Sequence, residues 1–106
     1  MADKKHCVPC NSDMAPLNHK EAQAQLKKLK NWQLTDNSTW LEKKFIFPNF
    51  VTALKFVNQV AQISEEEGHH PDIYFTWGKC TIRLQTHKIS GLHYNDFILA
   101  GRIDMI

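Results

Sequence analysis

The chain has 106 residues, 42% hydrophobic and 23% charged, with 13 basic against 11 acidic residues and a net charge of +2. That length holds one domain, the composition excludes a wholly disordered chain, and the balanced charge excludes nucleic-acid binding by electrostatics alone. No apolar run approaches membrane-spanning length and residues 1–11 lack the apolar stretch of a secretory signal, so a cytoplasmic protein is expected, with no membrane partner.

Residues 1–16 carry Pro9 and Pro16 and no periodicity. They read as an extended arm ahead of a single domain over 17–106. Within the arm, Cys7-Val8-Pro9-Cys10 has CxxC spacing, which suits half a zinc site or a redox pair. A second CxxC is missing and Cys80, the third cysteine, falls in a core strand, so incidental thiols are the simpler reading. Asn18 then reads as a helix N-cap, with Glu21 at the capping-box position three residues on. A first helix is expected over 19–29, with Ala22, Leu26 and Leu29 facing inward and Lys27, Lys28 and Lys30 as its solvated end.

Trp32 and Leu34 alternate with polar residues as in a short strand, and Asp36-Asn37-Ser38 is a turn signal. A second strand over 39–47 places Leu41, Lys43, Phe45 and Phe47 on one face and Trp40, Glu42, Lys44 and Ile46 on the other. Pro48-Asn49 stops that strand, and Asn49 is positioned to cap the longest helix, 50–66. At ~100° per residue, Phe50, Ala53, Leu54, Val57, Val60 and Ala61 share one face of it. Phe56, Ile63 and Val51 widen that arc beyond what packing on one sheet requires. A helix that also meets a partner subunit is therefore expected, since so small a domain can hardly bury it all round.

Gly68 ends the long helix. Strands over 71–77 and 80–87 follow, joined by Gly78-Lys79, and a last helix over 93–105 presents Phe97, Leu99, Ala100 and Ile103. The order α-β-β-α-β-β-α implies an α+β domain, a four-stranded antiparallel sheet with helices on one face.

A Gly78-Lys79 loop fixes a register for the second hairpin. Trp77 then opposes Cys80, Phe75 opposes Ile82 and Ile73 opposes Leu84, each an apolar pair. On the other face Thr76 meets Thr81, Tyr74 meets Arg83 and Asp72 meets Gln85. Carried two positions further, His70 faces His87 with Cβ atoms about 4.5–5.5 Å apart, unless Pro71 breaks the ladder. Glu65 in the last helical turn, His69, His70 and His87 thus converge at the junction of helix end and strand start. Imidazoles near their unperturbed pKa suit general acid–base work at neutral pH. Three imidazoles with Glu65 also suit zinc, but adjacent strand residues point to opposite faces, which counts against that alternative.

Glu65-Glu66-Glu67-Gly68-His69-His70-Pro71, with Trp77, then Thr86-His87, then Asp96, resembles the pterin-4a-carbinolamine dehydratase family signature, and the likeness covers roughly residues 17–105. Trp32 and the run Phe45-Ile46-Phe47-Pro48-Asn49-Phe50 fit it too. The resemblance implies a hydro-lyase that removes water from a 4a-hydroxytetrahydropterin to give quinonoid dihydropterin, regenerating the pterin of aromatic amino acid hydroxylases. It implies His69, His70 and His87 as catalytic residues, and Glu65, Pro71, Trp77, Thr86 and Asp96 as supporting or pterin-binding ones. It implies no metal or other cofactor, and dimers or tetramers built partly through the long helix. His93 departs from the pattern, standing where the family often has a Ser helix cap. Some relatives also serve as dimerisation cofactors of a transcription factor, which makes an interaction protein the rival reading.

Overall fold

The computed structural model describes residues 6–8 and 12–106. Helix α1 (His19–Leu26) leads into β1 (Gln33–Thr35) and β2 (Trp40–Ile46). Helix α2 (Phe50–Glu67), β3 (Asp72–Thr76), β4 (Lys79–Leu84), a 3-10 turn (His87–Ile89) and α3 (Tyr94–Asp104) complete it. The four strands form one antiparallel sheet in the order β1-β2-β4-β3. This is the expected α+β order. Among the described residues, no helix is long and apolar enough to cross a membrane.

Local sequence explains the element ends. The Asn18 side chain accepts from Glu21 N–H at 2.8 Å, and Glu21 Oε1 accepts from Asn18 N–H at 2.9 Å, a complete capping box for α1. Asn49 caps α2 by accepting from Thr52 N–H at 2.9 Å. Gly68, at φ 62°, ends α2 in the left-handed conformation that costs glycine least. Helix α1 stops at Leu26, short of the expected 29, because Lys28 and Leu29 turn back with three-residue hydrogen bonds to Gln25 and Leu26.

The core lies between one sheet face and the helices. Leu41, Cys80, Ile82 and Leu84 are buried beneath Phe56, Val60, Phe97, Leu99, Ala100 and Ile103. Phe56 sits between Phe45 and Phe47, with ring centroids 4.5 and 5.1 Å away. Each large apolar side chain buried in this layer contributes about 1.5–3 kcal/mol before chain entropy is set against it. The buried stripe of α2 is Ala53, Phe56, Val60 and Ser64. Phe50, Leu54 and Ala61, expected on the inward face, are exposed instead. The Phe45–Phe56–Phe47 stack sets the helix rotation, and the apolar residues left over face outward.

The second hairpin corrects the expected register. Phe75 opposes Cys80, Ile73 opposes Ile82, Tyr74 opposes Thr81 and Asp72 opposes Arg83. The loop is Trp77-Gly78 rather than Gly78-Lys79, closed by Thr76 opposite Lys79. Gly78 takes φ 72° at the second loop position, where a type II turn needs it. A Cβ there would lie 3.0 Å from the Phe47 carbonyl oxygen, and Phe47 N–H donates to the Gly78 carbonyl at 2.8 Å. The shift is two residues. It therefore preserves the face of every strand residue, and only the cross-strand partners change. Trp77 is the exception: expected on the core face opposite Cys80, it sits exposed at the hairpin tip. Strand β4 also ends at Leu84, three residues early, and Thr86 makes only an isolated bridge to Gly91.

Candidate active site

Asp96 organises the site. It lies in the first turn of α3 and is completely buried. Its Oδ1 accepts from His69 Nε2 at 2.6 Å, and its Oδ2 accepts from Thr86 Oγ1 at 2.8 Å and His93 N–H at 3.0 Å. Three chain segments thus meet on one carboxylate. His69 arrives from the end of α2 through Gly68, Thr86 from the end of β4, and His93 is the N-cap of α3. His93 does cap the helix despite replacing the expected Ser, with its Nδ1 accepting from Asn95 N–H at 3.5 Å.

His69 and Thr86 are buried with Asp96. A carboxylate withdrawn from water is stable only when hydrogen-bond donors replace it, and here three donors do so. The bond to Asp96 places the proton of a neutral His69 on Nε2. Such a His–Asp pair is suited to transferring protons in either direction.

The other two histidines flank this buried pair by chain continuity. His70 follows His69, and its Nε2 contacts Glu65 Oε2 in an exposed pair. His87 follows Thr86, opens the 3-10 turn and is exposed. Its ring meets Trp40 edge-on, with centroids 5.7 Å apart and planes at 72°. The Arg83 guanidinium lies 4.3 Å from the Trp40 ring centre, so the Trp40 side chain is gripped between a cation and an imidazole. Arg83 is itself fixed by Asp36 at 2.8 Å and Glu42 at 3.0 Å.

The sequence expectations divide accordingly. Glu65, His69, His70, Pro71, Thr86, His87 and Asp96 are gathered where α2, β3, β4 and α3 meet. The expected opposition of His70 and His87 across the hairpin is not present. With Asp72 paired to Arg83, the register carried to residue 70 meets Gln85, and regular pairing has stopped by then. Asp96, expected as a supporting or pterin-binding residue, holds His69. Trp77 is not brought to the histidines; the length of β3, about 17 Å for five residues, separates it from Pro71. Trp40 was assigned to the correct sheet face but not to the site. Its signal was a large aromatic on a solvent-facing strand, one residue before the buried Leu41. Asn95 and Glu67 were also missed, and both prove to be built into the surroundings of the pair.

Among the described residues, no group of three or more His, Cys, Asp or Glu side chains is placed to hold a metal ion. Cys7 is half-buried and Cys80 buried in the core; Cys10, the other half of the CxxC motif, lies outside the described residues. Burial pushes the Cys80 thiol up to about 11.

Residues 15–106 match the sequence profile of the pterin 4 alpha carbinolamine dehydratase family. The chain is 47% identical over 100 residues to a candidate pterin-4-alpha-carbinolamine dehydratase of Methylococcus capsulatus, covering 94% of this chain and 88% of that one. It is 48% identical over 103 residues to a like-named protein of Marinobacter nauticus, covering 95% and 93%. Among solved structures it resembles a transcriptional coactivator/pterin dehydratase from Brucella melitensis, at 28% identity and a TM-score of 0.80, covering 85% of this chain and 96% of that one. A pterin dehydratase-like protein described as a RuBisCO assembly factor in the alpha-carboxysome is also similar, at 28% identity and a TM-score of 0.62, covering 71% and 87%.

Proposed function

The chain belongs to the pterin 4 alpha carbinolamine dehydratase family, and on that footing we propose that it removes water from a 4a-hydroxytetrahydropterin to give quinonoid dihydropterin. The observation that carries this reading is the buried Thr86–Asp96–His69 chain, set between two exposed histidines.

The reaction needs two proton transfers. The 4a-hydroxyl leaves as water once it receives a proton, and the N5 proton departs as the C4a–N5 double bond forms. His69, oriented by Asp96, serves in one of these steps. His87 serves the other, being exposed and steadied by Trp40. His70, held by Glu65, binds and polarises the pterin. Pro71 fixes the turn out of His70 into β3, and Thr86 holds the second oxygen of Asp96. No metal or other cofactor enters this scheme. Residues 17–106 form the catalytic domain and 1–16 a segment ahead of it, in a cytoplasmic enzyme whose quinonoid product a separate reductase returns to tetrahydropterin.

We propose a homo-oligomer built through α2, dimer or tetramer. The outward Phe50, Val51 and Leu54 support it, since they form an apolar row along one helix flank. Sedimentation of a Val51→Glu variant should show a smaller species than the parent.

The deciding experiment follows dehydration of freshly generated 4a-hydroxytetrahydropterin by ultraviolet absorbance, with EDTA present. Acceleration that survives EDTA and is lost in His69→Ala and His87→Ala supports the reading. No acceleration by folded, oligomeric protein rejects it and moves an interaction role to first place.

A further inference from the structure

Residues His6–Val8 of the N-terminal arm contact Glu67 and Asn95, the close chain neighbours of His69 and Asp96. Glu67, the last residue of α2, stands two residues before His69. Its carboxylate accepts from Cys7 N–H at 2.6 Å, meets His6 Nδ1 at 2.6 Å and pairs with Arg102 of α3. Asn95 stands one residue before Asp96 and is buried. Its side-chain amide grips the main chain of Val8 twice: Oδ1 accepts from Val8 N–H at 2.9 Å, and Nδ2 donates to the Val8 carbonyl at 2.7 Å. Cys7 Sγ reaches the Asn95 carbonyl at 3.5 Å. Three consecutive arm residues therefore bridge the end of α2 to the first turn of α3.

Those are the two elements that deliver His69 and Asp96. The 2.6 Å contact between them depends on the spacing of the α2 terminus and the α3 start. A misplacement near 1 Å at a catalytic contact costs about 10²-fold in rate. Burying a primary amide and matching both its groups to a distant main chain also specifies one docked position, because any other leaves the amide unsatisfied. A strap serving only to cover apolar surface would not need that match. The Val8 side chain itself is exposed.

We propose that His6–Val8 is a positioning strap: by fixing the α2 terminus to the first turn of α3, it holds His69 Nε2 on Asp96. Its consequence for turnover rests on the dehydratase reading, but the hydrogen bond can be observed without substrate. Two full-length variants test it. Val8→Pro removes the N–H that Asn95 Oδ1 accepts and alters no buried side chain. Asn95→Ala removes both amide contacts.

The primary readout is solvent exchange of the His69 Nε2 proton in the proton spectrum, assigned by its absence in His69→Ala. With the fold intact by circular dichroism, exchange should quicken at least about tenfold, kcat should fall roughly tenfold, and KM should stay within about twofold. Unchanged exchange in folded Val8→Pro overturns the strap, whatever happens to kcat. If Asn95→Ala fails to fold, Val8→Pro decides alone. If exchange quickens but neither parent nor variant dehydrates the pterin, the strap stands and the dehydratase reading falls.

Discussion

Replacing Asp96 by Asn removes the charge at the centre of the site while nearly conserving shape. In the parent, Oδ1 takes the His69 Nε2 proton, and Oδ2 takes those of Thr86 and the His93 amide. An amide has one acceptor oxygen. If that oxygen stays with Thr86 and His93, its NH2 group faces a second donor at His69, and the imidazole must move its proton to Nδ1 or turn away. A hydrogen bond to a charged group contributes about 1.5–3 kcal/mol, so Asp96→Asn should lose roughly that much stability, read by urea denaturation. Turnover should suffer more, because the carboxylate also fixes the orientation and tautomer of the His69 ring. A loss near 3 kcal/mol in the barrier is roughly a 10²-fold fall in kcat. The assay is the same absorbance-monitored dehydration, with KM expected to hold within about threefold. A folded Asp96→Asn protein turning over within about threefold of the parent would refute the role given to the His69–Asp96 pair.

Other consequences reach beyond that pair. Burial pushes the Glu67 carboxyl upward, but the His6 contact, the Cys7 N–H and Arg102 outweigh it and hold the group at about 2, against an ordinary 4.5. A depressed carboxyl pKa stabilises the fold above 4.5, and that contribution is lost as pH falls toward 2. Glu67→Gln should therefore be less stable than the parent at pH 7 by roughly 1–2 kcal/mol, after allowance for screening at the exposed His6. Urea midpoints should converge between pH 4.5 and 2. Gly78→Ala must adopt φ 72° and place a Cβ 3.0 Å from the Phe47 carbonyl. It should cost about 1–3 kcal/mol, seen as a fall of roughly 4–8 °C in Tm per kcal/mol. Cys80, its thiol pushed up to about 11 within the core, should stay unalkylated by iodoacetamide at pH 8 until denaturant is added, as peptide mapping by mass spectrometry would show.

Much was legible in the sequence because its signals are local. Asn18 with Glu21, Asn49 and Gly68 bound their helices through bonds only a few residues long. Alternation in β2 and β4 assigned the sheet faces, and a period of two keeps those faces through a two-residue error in register. The signature residues around His69, Thr86 and Asp96 pointed to histidine chemistry before any contact was known. What tertiary structure decided was pairing. The loop after Thr76 could close around either residue beside Gly78, and the close approach of the Phe47 carbonyl to that glycine chose between them. That choice parted His70 from His87. Asp96 meets His69 because α3 starts beside the end of α2, a contact across 27 residues. The arm gave no periodic signal; the place of its residues His6–Val8 is set by Glu67 and Asn95, 60 residues beyond Cys7 and 87 beyond Val8. Local propensity carries no information at such separations. Partners there are fixed by which buried donors and acceptors remain to be satisfied once the core has closed.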